Sequence, residues 1–518
     1  MEAFVHNLAK VKLIFNRVVS VSLGILLQLL VILSGVFWLK EYVDWINGFF
    51  SVLSWVTVII IMSSRTNPSY KIAWIVLILA FPVAGITIYL LLGGNKASSR
   101  ENRKMQQITA GTAMCLPQDA HVMQALAESG SAAHNHARYL LHASHYPVYD
   151  DSAAEYYPTG EEAYEKMLEA LETAEHYIFL EYFIIDKGKM WDSILAILQR
   201  KAAEGLDVRV LYDDFGCIAR LPGNYCKQLR QMGIQAHVFA PYVPVISGRL
   251  NNRDHRKLMI IDGEIAFTGG VNLADEYINV PGSKNLNHWK DCGIRVAGGA
   301  AWSMTVMFLT MWDYVDRLEE DIDAFRPLPA DAPVDAQGWI QPFCDSPLDY
   351  EDVGATVFQM LINGATEKLW IMTPYLILDD KMTTALCVAA KTGVDVRIIT
   401  PGTPDKWYVH AVTRANYEVL TEAGVRIFEY HPGFIHSKVC LSDDRYAVVG
   451  TVNLDFRSLY LHFEDAVYLA DCDAVAQVSH DFSETFPVCR EITYARCKHI
   501  YLHQRIGRML LRVFSPLL

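Results

Sequence analysis

A duplicated motif constrains this chain more than any other feature. The first copy runs from His255 to Asn272 and the second from His436 to Asn453. In each copy a lysine follows the histidine by two residues, an aspartate follows the lysine by five, and a Gly-x-x-Asn closes the motif. The segments GLDVRVL (205–211) and GVDVRII (393–399) repeat the match outside it. So many matching offsets indicate that one ancestral half has been used twice.

The order of elements around the motifs is also repeated. In the first half the pattern predicts a helix over 161–175, a strand over 177–185, a helix ending near 204 and a strand over 205–211. The second half repeats the order at 369–375, 381–392 and 393–399. Strand, helix, strand order predicts a largely parallel sheet covered by helices. We therefore expect an α/β fold in which two homologous α/β/α halves pack as one pseudo-two-fold catalytic unit. The halves are 151–326 and 341–497, and the proline-rich segment 327–340 connects them.

The first 95 residues are typical of a membrane anchor. Segments 18–39 and 72–92 carry no charge and are long enough to cross the hydrocarbon layer as helices. Segment 45–62 is apolar but diluted by small and polar residues, so it could span, lie in the interface or re-enter. Beyond the anchor, 96–150 loses periodicity and is expected to be a solvated linker. The tail, 498–518, has a basic and an apolar side, which suits either an anionic bilayer surface or docking on the catalytic domain.

Charge indicates orientation and limits the partners. Basic residues precede the first span and follow the last, and such flanks prefer the cytoplasm. With two spans both basic flanks lie on the cytoplasmic side, whereas with three spans they lie on opposite sides. We therefore expect two spans and the catalytic unit on the cytoplasmic side. The net charge of -13 argues against a general nucleic-acid binder.

The ten cysteines form no C-x-x-C pair, so we expect reduced thiols and no structural zinc site.

The residue types of the motif suit phosphate chemistry. Because residues two apart on a strand share a face, each motif presents an imidazole and an ammonium together. A lone histidine on a strand is as often a core residue as a catalyst, but the duplication favours catalysis. If the halves pair, the lysine and asparagine side chains can hold phosphate oxygens. These are Lys257, Asn272, Lys438 and Asn453.

Two histidines allow a division of labour in the reaction. One of His255 and His436, when neutral, attacks phosphorus. The other, when protonated, donates a proton to the leaving alcohol and then deprotonates the incoming one. The spacing does not decide which histidine does which. Asp262 and Asp443 complete the catalytic motif, and we assign them supporting roles because an aspartate that ends a strand also suits a turn.

The two copies match the signature H-x-K-x4-D-x6-G-[GST]-x-N. In this the chain resembles the phospholipase D superfamily, and within it the bacterial cardiolipin synthases, over nearly its whole length. The resemblance implies transfer of a phosphatidyl group from one phosphatidylglycerol to another, without metal or cofactor, at the bacterial plasma membrane in a multi-pass protein. It also implies an acid downstream of each motif that orients the histidine. Glu464 is the best match in the second half, and in the first half Glu276 ranks ahead of Asp291.

Some positions depart from the pattern of the family. Thr451 stands where serine is common and keeps the hydroxyl, whereas His462 stands where asparagine is common, so the role of that position is open. Gly270 replaces a hydroxyl residue, as in some synthases. None of these changes removes a histidine, lysine or asparagine of the motif.

Other functions remain compatible with the motif. A phospholipase D hydrolase, or a transphosphatidylase with another donor, would use the same residues. A nuclease or phosphodiesterase would also match, but the apolar segments favour a lipid substrate and anionic membrane lipid as partner over nucleic acid. A membrane scaffold with a degenerate site would be expected to have lost a histidine or lysine, and neither is lost.

Overall fold

The computed structural model describes residues 26, 30, 43–64, 66–93, 99–241, 251–283, 287–316, 320–327, 335–336, 338–349, 351–498 and 502–515. The strands are β1 (Ser152–Tyr157), β2 (Tyr177–Tyr182), β3 (Asp207–Asp213), β4 (Gln235–Phe239), β5 (Lys257–Ile261), β6 (Ile265–Gly269), β7 (His288–Lys290), β8 (Gly293–Gly298), β9 (Trp339–Asp345), β10 (Lys368–Met372), β11 (Asp395–Pro401), β12 (Arg426–Tyr430), β13 (Gly433–Ile435), β14 (Val439–Ser442), β15 (Tyr446–Gly450), β16 (Glu464–Ala470) and β17 (Cys489–Ile492). The helices are α1 (Val43–Ser63), α2 (Pro68–Ala80), α3 (Pro82–Leu92), α4 (Ser99–Thr112), α5 (Ala120–Glu128), α6 (Ala133–Ser144), α7 (Gly160–Glu172), α8 (Lys189–Glu204), α9 (Asp214–Cys217), α10 (Tyr225–Gln231), α11 (Gly299–Asp316), α12 (Val353–Gly364), α13 (Asp380–Lys391), α14 (Trp407–Glu422), α15 (Phe456–Tyr460), α16 (Asp473–Thr485), α17 (Tyr494–Lys498) and α18 (Leu502–Phe514).

Each half is built on a mixed sheet. The first has strand order β1-β8-β6-β5-β2-β3-β4, and the second has order β17-β12-β11-β10-β14-β15-β16-β9. Within these two sheets the described parallel pairs are those of β2-β3-β4 and of β10-β11-β12, and the other pairs are antiparallel, so the expectation of largely parallel sheets is wrong. The reason is that each motif strand turns straight back as a hairpin. Asp262 and Gly263, and likewise Asp443 and Asp444, have positive φ, which a tight hairpin turn requires.

The two halves pack as one unit. A hydrophobic cluster includes Phe308 on α11 and Ile371 on β10, both fully buried. β7 of the first half pairs in parallel with β13 of the second. Beside this junction Lys290 forms a buried ion pair with Asp481, at 2.7 Å. The predicted pair of phospholipase D-like α/β halves is therefore present, and buried side chains join them.

The apolar N-terminal region is a small helical cluster. The predicted span 18–39 lies outside the described residues, apart from Leu26 and Leu30. The predicted continuous helix over 72–92 is wrong, because Pro82 has no N–H to donate and its ring clashes with the preceding turn, so the helix breaks between α2 and α3. Segment 45–62 falls inside α1. Nowhere in the described chain does a helix combine the length and apolarity that crossing a membrane requires.

The helices α1 to α3 fold against one another. Trp74 and Ile78 of α2 are buried against side chains of α1 and α3. Gly85 lets α3 approach α2 closely, since a Cβ at this position would lie 2.6 Å from the carbonyl oxygen of Leu77. The cluster is attached to the second half by Asn67, whose Nδ2 donates to Asp379 Oδ2 at 2.9 Å.

Segment 96–150 is not the solvated linker that its composition suggested. It forms α4, α5 and α6, and Leu126 and Leu140 are fully buried. His136 Nδ1 lies 2.9 Å from the hydroxyl oxygen of Tyr468 on β16. The few buried leucines of these helices have partners on the sheet of the second half. Partners so far along the chain leave no periodic pattern in the local sequence. The tail helix α18 docks on α14, with Leu511 packed against Val412.

Candidate active site

Each motif histidine is held by a segment of the opposite half. His255 lies just before β5, and its backbone N–H donates to the carbonyl oxygen of Phe463 at 2.9 Å. His436 lies just before β14, and its N–H donates to the carbonyl oxygen of Lys290 at 2.7 Å. Both histidines are almost fully buried. The backbone of one half therefore fixes the position of the imidazole of the other.

The carboxylates cross between the halves in the same way. His255 Nδ1 lies 2.9 Å from Oε2 of Glu464, and His436 Nδ1 lies 2.6 Å from Oδ2 of Asp291. Glu464 thus contacts the histidine of the first motif and not that of its own half. Glu276, which the sequence ranked first, is instead paired with Arg220 at 2.7 Å. Asp291 takes its place because it immediately follows Lys290, whose carbonyl oxygen already binds His436.

The two lysines complete a compact charged cluster. Lys257 Nζ donates to the carbonyl oxygen of His255 at 2.6 Å, and Lys438 Nζ lies 2.8 Å from His436 Nδ1. Burial lowers the pKa of Lys257 and lowers that of Lys438 to about 7. Asp291 contributes to the electrostatic environment of both ammonium groups, so the two motifs lie close together.

The histidines have unusually low pKa values. Burial is the main cause for both, lowering the pKa of His255 to about 3 and that of His436 to about 4. Burial also raises the pKa of the Glu464 carboxyl, but the contact with His255 outweighs it and the pKa is lowered. Both imidazoles are therefore neutral near pH 7. Because each directs Nδ1 at a carboxylate, each leaves Nε2 available for reaction.

The two motif asparagines differ in their contacts. Asn272 Oδ1 accepts from the N–H of Ile184 at 3.0 Å, and its Nδ2 donates to the hydroxyl of Tyr277 at 2.8 Å. Asn453 is buried, and within the described chain its Oδ1 has no hydrogen-bond partner. The side chain of Asn272 therefore already hydrogen-bonds within its own half, whereas Asn453 keeps an unsatisfied polar atom.

The motif aspartates organise the backbone beside the site. Asp262 accepts from three consecutive N–H groups, those of Glu175, His176 and Tyr177, at 2.7 to 2.8 Å. Asp443 accepts in the same way from residues 366–368. Each carboxylate caps the entry to the central strand of its half, β2 or β10. Their described contacts are with backbone N–H groups and a threonine hydroxyl and not with the histidine or lysine side chains of the motifs.

Sequence reasoning missed a second carboxylate, Asp465. Its Oδ1 accepts from Lys257 N–H at 3.2 Å, and its Oδ2 accepts from the hydroxyl of Thr268. Thr451 donates to Glu464 Oε2, so the hydroxyl retained at this position supports the acid that binds His255. A signal was present, because Asp291 begins the segment D-C-G-I-R-V-A that leads into β8, and Glu464 begins the matching segment E-D-A-V-Y-L-A of β16.

Arg256 lies on the other side of the strand, as the alternation predicts. Its guanidinium is buried, 2.8 Å from Glu181 Oε1 and 3.2 Å from Asp254 Oδ1. This buried network braces the segment that carries His255. The charge of Arg256 is thereby neutralised inside the first half.

His462 lies beside the first histidine. Its ring centroid is 5.6 Å from that of His255, and its Nδ1 is 3.7 Å from Glu464 Oε1. The donor atoms of these three side chains lie within 4.8 Å of one another, so they form a donor set that could hold a metal ion. Two imidazoles and a carboxylate are ordinary ligands for zinc. The expectation of no metal and no cofactor stays a prediction.

Comparison with known proteins agrees with this geometry. The model of the cardiolipin synthase, PLD-like domain matches residues 167–288 and 359–486, and that of the phospholipase D-nuclease N-terminal family matches 50–94. A cardiolipin synthase of Geobacillus kaustophilus is 32% identical over 91% of this chain and 94% of its own length. The chain belongs to the cardiolipin synthase family. The resemblance drawn from the motifs is thereby confirmed.

Other relatives agree with this family assignment. The cardiolipin synthase of Halalkalibacterium halodurans is 31% identical over 96% of this chain and 99% of its own length. An uncharacterized protein of Streptococcus mutans is 39% identical over 89% of this chain and 99% of its own length. Among solved structures, phosphatidylserine synthase of Haemophilus influenzae superposes with a TM-score of 0.56 at 17% identity, covering 75% of this chain and 98% of that chain. At that identity the last likeness shows the fold alone.

Proposed function

We propose that this member of the family is a cardiolipin synthase that transfers a phosphatidyl group between two phosphatidylglycerol molecules. The observation that carries the proposal is the pair of buried imidazoles, each bonded through Nδ1 to a carboxylate of the opposite half. The relatives named cardiolipin synthase support the choice of lipid substrate.

The reaction proceeds in two displacements. In the first, Nε2 of one neutral histidine attacks phosphorus, the bond from phosphorus to the glycerol oxygen breaks, and the other histidine gives that oxygen a proton. In the second, a hydroxyl of another phosphatidylglycerol attacks the phosphohistidine, the acid histidine takes up the hydroxyl proton, and the bond from phosphorus to nitrogen breaks. The products are glycerol and cardiolipin.

The surrounding charges suit this scheme. Lys257, Lys438 and the amide of Asn453 stabilise the charge on the non-bridging oxygens. The phosphate anion raises the proton affinity of the histidine that acts as acid, offsetting the effect of burial. Glu464 and Asp291 hold the imidazoles in the tautomer that directs Nε2 at phosphorus. Asp262 and Asp443 keep the strands in place and do not contact the phosphate.

We further propose that the enzyme works at the bacterial plasma membrane with its catalytic unit on the cytoplasmic side. Large apolar side chains are more than half exposed on α1, among them Val52, Trp55 and Ile59, and at Phe81 between α2 and α3. An exposed apolar surface of this kind marks a membrane or protein contact. The basic residues at 10–17 and 96–104 favour the cytoplasmic orientation of both flanks.

A product analysis tests the proposed reaction. Full-length protein in mixed micelles with glycerol-labelled phosphatidylglycerol is expected to release labelled glycerol and form cardiolipin. The His255→Ala and His436→Ala variants are expected to be inactive. Phosphatidic acid as the sole lipid product, or full activity in either variant, would overturn the proposal.

A further inference from the structure

An arginine-lined cavity lies between the tail helix and the second half. It has a volume of about 200 Å³, and its guanidinium groups come from Arg414 on α14 and from Arg505, Arg508 and Arg512 on α18. None of its lining residues belongs to the duplicated motif. A water occupies roughly 30 Å³ in the liquid, so the cavity is large enough for a phosphate group with its substituents.

The charges of this cavity are not balanced. Glu429 pairs with Arg414 through two bonds of 2.8 Å, and Glu418 lies 3.9 Å from Arg505. In the part of the chain that the structure describes, no carboxylate lies within ion-pair distance of Arg508 or Arg512. Of the four guanidiniums, those of Arg414 and Arg505 thus have a carboxylate partner in the described chain. Guanidinium keeps its charge, and its planar donors match phosphate oxygens.

The rim of the cavity is apolar. The arginines of α18 line the cavity together with Met509, while Ile506, Leu510 and Val513 on the other side of α18 are between 40% and 60% exposed. Helix α2 lies beside α18 and exposes Ile72 and Val76. A soluble phosphate gains nothing from such a rim, whereas a lipid can place its phosphate among the arginines and its chains along the apolar face.

We propose that α14 and α18 form a binding site for the phosphate of an anionic glycerophospholipid, separate from the catalytic histidines. The site holds a bilayer lipid that is not being converted, and so keeps the tail helix in the membrane surface. The proposal does not depend on the reaction proposed above, because it concerns binding alone.

Photolabelling locates the bound lipid. Full-length protein in neutral-detergent micelles is titrated with a phosphatidic acid that carries a diazirine in its acyl chain, and the cross-linked peptides are identified by mass spectrometry. We expect labelling of α14 and α18 to saturate. Each cation near a charged lipid surface contributes about fivefold to the binding affinity. The double variant Arg508→Gln/Arg512→Gln removes two cations and should therefore raise the half-saturating lipid concentration roughly 25-fold.

Two further variants separate this site from general charge and from misfolding. Lys166→Gln/Lys227→Gln removes the same charge from exposed positions of the first half and should leave labelling of α18 unchanged. Glu418→Gln removes a carboxylate from the cavity and should tighten binding severalfold, a gain that misfolding does not produce. Labelling of the catalytic segments in the same samples is the internal reference.

Several results would overturn the proposal. These are unchanged labelling of α18 in Arg508→Gln/Arg512→Gln, an equal loss in the lysine control, or weaker binding in Glu418→Gln. Displacement of the lipid from α18 by millimolar inorganic phosphate would show that the site takes soluble phosphate. A loss confined to the catalytic segments would count against the proposed function and leave this site standing.

Discussion

His255 Nδ1 lies 2.9 Å from Glu464 Oε2, and the two residues belong to different halves of the chain. The same exchange joins His436 to Asp291 at 2.6 Å. Neither half can therefore orient its own histidine, because the carboxylate it needs is supplied only when the halves pack.

The crossed carboxylates predict which acids matter for turnover. Asp291→Asn and Glu464→Gln should each lower kcat by roughly 10³- to 10⁴-fold, because loss of the carboxylate releases the imidazole from its reactive tautomer. Glu276→Gln should keep kcat within about threefold, since Glu276 is bound to Arg220. Initial rates per folded protein in mixed micelles measure the difference. Near wild-type turnover in Asp291→Asn would contradict the assignment.

The lowered pKa of Lys438 predicts a basic limb in the pH profile. Burial brings this pKa to about 7, so Lys438 is a cation below pH 7 and neutral above it. The phosphate loses a positive partner as pH rises, and kcat/KM should fall through about pH 7. An arginine keeps its charge. The kcat/KM of Lys438→Arg, whatever its absolute value, should therefore not fall as the pH rises through about 7. An unchanged limb in that variant would assign it to another group.

The low pKa values of the histidines predict where the acidic limb lies. Burial holds both imidazoles neutral well below the ordinary histidine pKa of about 6.5. Between pH 7 and 5 the histidines of the free enzyme stay almost wholly neutral, so protonation does not remove the nucleophile and kcat/KM should show no acidic limb centred near 6.5. The same pH series measures it. A clear loss centred at pH 6.5 would show that the nucleophile has an ordinary pKa.

Thr451 predicts a stability difference between two conservative variants. Its hydroxyl donates to Glu464 and accepts from the N–H of Asp465 at 3.0 Å. Thr451→Val leaves buried polar groups unpaired and should lower the free energy of unfolding by about 1 to 3 kcal/mol. Thr451→Ser keeps the hydroxyl and should lose much less. Thermal unfolding in detergent compares them, and equal losses would mean that the methyl group, not the hydroxyl, matters.

His136 predicts acid sensitivity in the segment first taken for a linker. Burial lowers its pKa to about 4, against about 6.5 when unfolded. As pH falls below 6.5 the unfolded chain takes up a proton that the folded chain does not. Stability should therefore fall until about pH 4, by at most about 3 kcal/mol from this residue. His136→Asn should reduce the loss of melting temperature between pH 7.5 and 5, and an unchanged loss would exclude this residue as its source.

Local sequence patterns were sufficient for some features and not for others. The alternation around Lys257 placed Arg256 on the opposite side of the strand, where it pairs with Glu181. The polar composition of 96–150 hid α5 and α6, whose buried leucines are few and whose partners lie far along the chain. Pro82 was visible in the sequence. Its effect on the predicted span 72–92 depended on whether neighbouring groups compensate for the missing hydrogen bond.

The sequence by itself determined the duplicated motif, the two histidine and lysine pairs, the division into two α/β halves and the family. These follow from residue identity and short-range spacing, which one strand and its hairpin express locally. Only the tertiary structure decided that Glu464 lies within hydrogen-bond distance of His255, that Asp291 and not Glu276 lies within that distance of His436, and that Asn272 hydrogen-bonds to the backbone of its own half. The physical reason is that a carboxylate orients an imidazole only within hydrogen-bond distance. That distance is set by the packing of one half against the other, which no spacing along the chain specifies.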